Sequence, residues 1–244
     1  MEDYQWIEGA VAVEAVLQAQ SREMAELLIS RERFDGRVVR LQQLARELDV
    51  AVSRVSAAAI SEHVSGEAHG GVIARVGPRR MSALDDLFVP VAPVIFVLDG
   101  VEDPYNFGQA VRSMYAAGID GLVVPTRNWL SAAGTVVRAS AGASEHMPTA
   151  AATAVDAIVM AQSRQIPVGV ATADKARPMH ELDLAGPLLL VIGGEKRGIG
   201  RAVEEAAEWR VSIPYGREID YALGAAPAVA ILSFEILRQR RMKR

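Results

Sequence analysis

LLLVIGGEKRGIG, residues 188–200, and VSIPYGREIDYALGAAPAVAILSFE, residues 211–235, decide the fold. Leu188 to Ile192 is a continuous apolar run that reads as a buried parallel strand. It breaks at Gly193-Gly194 into a loop carrying Glu195, Lys196, Arg197, Gly198 and Gly200. A helix is expected from about Arg201 to Glu208, a short strand over Arg210–Ile213 stopped by Pro214, and a last apolar helix from about Leu223 to Arg241. Ligands of open α/β sheets bind at the carboxyl ends of the strands. Glycine permits backbone approach where a Cβ would collide. These loops are therefore the first candidate site.

Working outward, the same alternation extends upstream. Pro93–Leu98 is an apolar strand ending at Asp99-Gly100, and the loop VEDPYNFG leads to a helix expected from about Phe107 to Gly118. A strand over Gly121–Pro125, a helix over Gly134–Glu145, a helix over Val155–Arg164 and a strand over Pro167–Ala171 follow. Strands alternating with helices indicate a mainly parallel sheet covered on both faces. The first part is a smaller α/β block. Gly9–Gln20 and Val38–Leu48 have helical apolar spacing, and Met24–Ile29 and GVIARV read as strands. The expected division is a small α/β domain over 1–77, a linker over 78–91 and a larger α/β domain over 92–244.

With 244 residues, half of them hydrophobic, there is material for one large or two modest cores. The absence of cysteine excludes disulfides, thiolate metal sites and cysteine nucleophiles. Four scattered histidines give no metal-binding spacing, so no metal is expected. The acidic start MEDYQWIEG does not look like a signal peptide, and no apolar run approaches the ~20 residues of a membrane span. A cytoplasmic protein without a membrane partner is expected. Net charge −4 argues against nucleic-acid binding by bulk charge but leaves room for a local basic patch. The C-terminal RQRRMKR is one such patch, and a solvated helix end accounts for it.

Taken singly, the candidate side chains are modest signals. Asn106 sits where a helix N-cap would sit. Arg112 lies in the following helix and is either a surface ion pair or a planar, permanently charged phosphate ligand. Glu195 directly follows a buried strand. Gly193 to Gly198 has the outer spacing of a P-loop, but Ile199 and Gly200 stand where Lys and Ser/Thr are needed, which excludes a nucleoside triphosphatase. Ser140 lacks a nucleophile elbow, and His69 and His146 read as loop and helix-end residues.

The order of the segments says more. LDGVEDPYNFGQAVRSMYAAGIDGLVVP (98–125), RASAGASEHMP (138–148), LLLVIGGEKRGIGR (188–201) and the 211–235 stretch resemble the ordered motifs of the SpoU/TrmH family of RNA 2'-O-ribose methyltransferases. IEGAVAVEAVL (7–17) with AHGGVIARV (68–76) resembles the small RNA-binding domain of the branch that modifies large-subunit rRNA. The resemblance covers essentially the whole chain. It implies a trefoil-knotted α/β domain, a homodimer packed partly through the last helix, and S-adenosylmethionine held by Gly193, Gly194, Ile213 and Leu223 with Thr172 nearby. It implies catalytic roles for Asn106, Arg112 and Glu195, and RNA as substrate, rRNA ahead of tRNA.

The third motif departs from the family pattern. Where the family has S-L-N-V-S-V-A, this chain has Ala222-Leu223-Gly224-Ala225-Ala226-Pro227-Ala228. Two hydroxyls and an amide are missing. The alternative to an enzyme is a non-catalytic RNA-binding relative. A small-molecule methyltransferase is a third reading, which the small N-terminal domain disfavours.

Overall fold

The structure is a computed structural model that describes residues 4–64, 66, 68–126, 132–194, 198–218 and 221–243. In chain order its first elements are β1 (Gln5–Glu8), α1 (Ala10–Ala19), β2 (Met24–Ser30), α2 (Gly36–Glu47), β3 (Val52–Val55), α3 (Ala57–Ser61) and β4 (Val72–Val76). Next come β5 (Val94–Asp99), α4 (Pro104–Ala117), β6 (Gly121–Val124), α5 (Ala133–Ala139), α6 (Ala143–His146) and β7 (Thr149–Ala151). The chain closes with α7 (Ala154–Ser163), β8 (Val168–Ala171), β9 (Arg177–Pro178), β10 (Leu188–Gly193), α8 (Arg201–Ala206), β11 (Trp209–Ser212) and α9 (Ala225–Met242).

Packing groups these into two units, residues 1–80 with 128–146, and residues 81–127 with 147–244. The N-terminal unit holds a four-stranded sheet in the order β1-β4-β2-β3, antiparallel except for the β2–β3 pair. Its core joins α1 and α2 to the sheet through Val13, Leu17, Leu27, Leu41, Val72 and Ala74, and it includes Val137 of α5.

The C-terminal unit holds a seven-stranded sheet in the order β7-β6-β5-β10-β8-β11-β9, in which every pairing is parallel. Its central strands β5 and β10 are apolar on both faces, as a doubly covered sheet requires. Helix α7 packs on this sheet through Ala157, Ile158 and Ala161, while α4 and α9 lie side by side.

Two local expectations are corrected. Asp103, not Asn106, caps α4: its Oδ1 accepts the Asn106 N–H at 2.7 Å, and Pro104 takes the first helical position. The helix therefore begins ahead of Phe107. The single helix expected over 134–145 is two, α5 and α6, divided at Ala141 and Gly142, both at positive φ. A Cβ at Gly142 would lie 2.5 Å from the Ala15 Cβ, so this break lets the chain sit close against α1.

Candidate active site

Four backbone segments meet at the carboxyl ends of β8, β10 and β11. They enclose a cavity of about 670 Å³, within the roughly 300–1,000 Å³ of small-molecule sites. Thr172 follows β8, Gly193 and Gly194 end β10, Ile213 follows β11, and Leu223 precedes α9; all five line this cavity. Ile192, Val211 and Leu232 supply much of the apolar wall.

The glycines answer first to the chain's own backbone. The Gly194 N–H donates to the Asp99 carbonyl at 2.6 Å, and a Cβ on Gly194 would collide with the Gly100 carbonyl. A Cβ on Gly193 would stand 2.6 Å from the backbone of Gly198. The end of β10 is thus pressed against the end of β5 on one side and against Gly198 on the other.

The stretch that departs from the family pattern forms one side of the cavity. Ala222, Ala225 and Ala228 line it without offering a side-chain hydrogen bond. Pro227 lies in the first turn of α9, where a missing N–H costs nothing. The Tyr215 hydroxyl accepts the Leu223 N–H at 3.0 Å and ties this stretch across to the segment after β11. Polar residues on the wall are Thr172, Glu204, Ser212 and Tyr215. Glu204 and Tyr215 are not singled out by the sequence, because a helix-surface Glu and a loop Tyr carry no pattern until the fold brings them together.

Asn106 and Arg112 stand on α4 and do not line the cavity. Asn106 is half-buried and Arg112 is exposed. Neither side chain has a hydrogen-bond or ion-pair partner among the described residues, so the Arg112 guanidinium keeps its full donor set there. Glu195, the third candidate catalytic residue, lies outside the described residues.

Residues 93–234 match the family model described as SpoU rRNA Methylase family, and residues 6–82 match the one described as RNA 2'-O ribose methyltransferase substrate binding. The chain belongs to the SpoU rRNA methylase family. It is 32% identical to the 23S rRNA (guanosine-2'-O-)-methyltransferase RlmB of Pseudomonas aeruginosa, over 98% of both chains. A solved RNA 2'-O ribose methyltransferase superposes with a TM-score of 0.77 at 27% identity, over 98% of this chain and 90% of that one. An AdoMet-bound rRNA methyltransferase from Sinorhizobium meliloti shares the fold with a TM-score of 0.81 at 23% identity, over 96% of this chain and 87% of that one.

Elsewhere in this SpoU-family chain, the basic C-terminal helix is largely satisfied within its own unit. Arg238 pairs with Glu235 at 2.7 Å, and Lys243 with Asp183 at 2.5 Å. Arg240 reaches Asp120 and the Ala92 carbonyl. His69 is buried, and its Nδ1 accepts the Gly71 N–H at 2.9 Å, which shapes the turn. Among the described residues, no cluster that could hold a metal ion occurs, and no helix is long and apolar enough to cross a membrane.

Proposed function

We propose that this chain is an S-adenosylmethionine-dependent RNA 2'-O-ribose methyltransferase acting on rRNA, with 23S rRNA ahead of tRNA as its substrate. The observation that carries the reading is the strand-end cavity, built from the segments that the family resemblance assigns to the cofactor. The residues present fit the group: apolar walls suit a purine, and Gly193, Gly194, Ile213 and Leu223 border the space together with Thr172. Bound there, S-adenosylmethionine supplies a methyl group activated by a sulfonium.

The chain's own part is binding and orientation. Arg112 is permanently charged, exposed and without a partner among the described residues, so it can grip the phosphate beside the target ribose. Its charge there favours loss of the 2'-hydroxyl proton. An arginine is almost never deprotonated, so it acts as an electrostatic aid rather than a base. Asn106 orients the same nucleotide from earlier on α4, and Glu195 completes the catalytic group. Placing the hydroxyl in line with the methyl group is where most of the rate arises. Residues 1–77 serve as the substrate-binding arm, 78–91 as the linker, and 92–244 as the catalytic domain with a trefoil knot, from which α5 and α6 are lent to the packing of the arm. The chain works as a homodimer, which the exposed Tyr105 and Tyr115 on α4 and Phe234 on α9 support.

Calorimetric titration of S-adenosylmethionine tests the reading, followed by methyl transfer from labelled cofactor to ribosomal RNA. Micromolar binding and 2'-O-methylation are expected. Ala222, Gly224 and Ala226, which stand where the family pattern has Ser, Asn and Ser, favour the second reading, a non-catalytic RNA-binding relative. Cofactor or RNA binding without any transfer would establish that alternative.

A further inference from the structure

At the carboxyl end of β2 the N-terminal unit turns through Arg31-Glu32-Arg33-Phe34-Asp35. Phe34 is 82% exposed. The Arg54 guanidinium, from β3, lies 4.8 Å from the centre of the Phe34 ring. One face of an exposed aromatic ring is therefore covered by a cation, while most of the ring is open to solvent.

Arg31 and Arg54 are held in place by backbone, not by acids. Arg54 Nη2 donates to the carbonyls of Arg31 at 3.2 Å and Arg33 at 2.8 Å, and Arg31 Nε donates to the Arg54 carbonyl at 3.0 Å. Neither Arg31 nor Arg54 has a carboxylate partner among the described residues. Of the nearby acids, Asp35 is engaged by Arg33 at 2.8 Å and caps α2, and Glu32 is exposed. Arg33 also donates to the Gly70 carbonyl, which fastens this turn to the His69–Gly71 loop. The result is a positively charged, pre-positioned aromatic face in a chain whose net charge is −4.

We propose that Phe34, backed by Arg54 and flanked by Arg31, is a stacking platform for an unpaired base of the RNA substrate. The proposal rests on the reading of RNA as substrate. The chemistry favours a single strand, because a base inside a duplex has both faces occupied and cannot lie on a side chain. An aromatic ring accepts any base, and the flanking guanidinium groups meet the phosphates on either side. The platform therefore grips a loop or bulge next to the target without reading its sequence.

The test is fluorescence anisotropy with a short labelled oligouridylate and with a blunt RNA duplex of equal length. Phe34→Ala should weaken oligouridylate binding on the order of tenfold and leave duplex binding unchanged, while Phe34→Tyr keeps both. Arg31→Gln or Arg54→Gln should lower the salt dependence of single-strand binding by about 0.7 in log–log slope for each phosphate no longer neutralised. Equal single-strand affinity of wild type and Phe34→Ala overturns the platform alone. Wild type that binds neither RNA overturns the substrate reading, and the platform with it.

Discussion

Arg112 and Tyr215 act at the residue scale in different ways. Arg112 is exposed and makes no side-chain bond within the described residues, so its removal leaves the fold nothing to lose. Arg112→Ala should cut methyl transfer by about a hundredfold or more, on the order of the loss of a transition-state hydrogen-bond donor. Its thermal midpoint should match wild type, and radiolabel transfer beside a melting curve checks both. Tyr215 instead supports the cavity wall. Tyr215→Phe removes the acceptor of the Leu223 N–H, a bond worth about 1 kcal/mol. Cofactor affinity by calorimetry should fall about fivefold, with less effect on the rate at saturation.

At the scale of elements, the close approach of β5 and β10 depends on two glycines. Gly194→Ala would drive a Cβ into the Gly100 carbonyl and should destabilise the C-terminal unit by about 1–3 kcal/mol, the typical range for overpacking, or more. Gly216→Ala is the control, since nothing lies within 4 Å of the position a Cβ would take there. Denaturant midpoints of the two variants check the contrast. The long apolar strands and amphipathic helices are legible in the sequence, because period and composition report burial directly. Strands β7 and β9 are not, because two or three residues cannot display a period, and β3 is not, because its VSRV has neither an apolar run nor an alternation. The cap of α4 is ambiguous in sequence because Asp103 and Asn106 are both good caps, and only the pyrrolidine ring at Pro104 separates them. In the site, the glycines and Leu223 are visible through an ordered motif. Glu204, Ser212 and Tyr215 are not, since their common feature is a cavity that exists only after three strands align.

At the scale of the molecule, residues 128–146 group with the N-terminal unit, and a buried ion pair helps to hold them there. Arg22 Nε lies 2.9 Å from Glu145 Oε2, with side chains 6% and 0% exposed. Burial alone would raise the Glu145 carboxyl. The Arg22 charge, hydrogen bonds from Arg22 and Ser21, and the charge of Arg79 together hold it below its ordinary 4.5. A carboxyl lowered by folding contributes stability above its unfolded pKa and loses it as pH falls through the folded value. Glu145→Gln leaves Arg22 without its counter-charge and should cost about 3–5 kcal/mol near neutral pH. As pH drops below 4.5 the two stability curves should converge, which urea titrations across that range will show.

The same grouping bears on descent. The chain passes between its two units near residues 80, 127 and 146, so the N-terminal unit is not one uninterrupted block of sequence. Recombination that swapped residues 1–80 for another substrate arm would leave Val137 and Glu145 behind, facing a core they did not evolve with. New arms can be exchanged into this chain only if the surface that receives α5 and α6 is inherited with them.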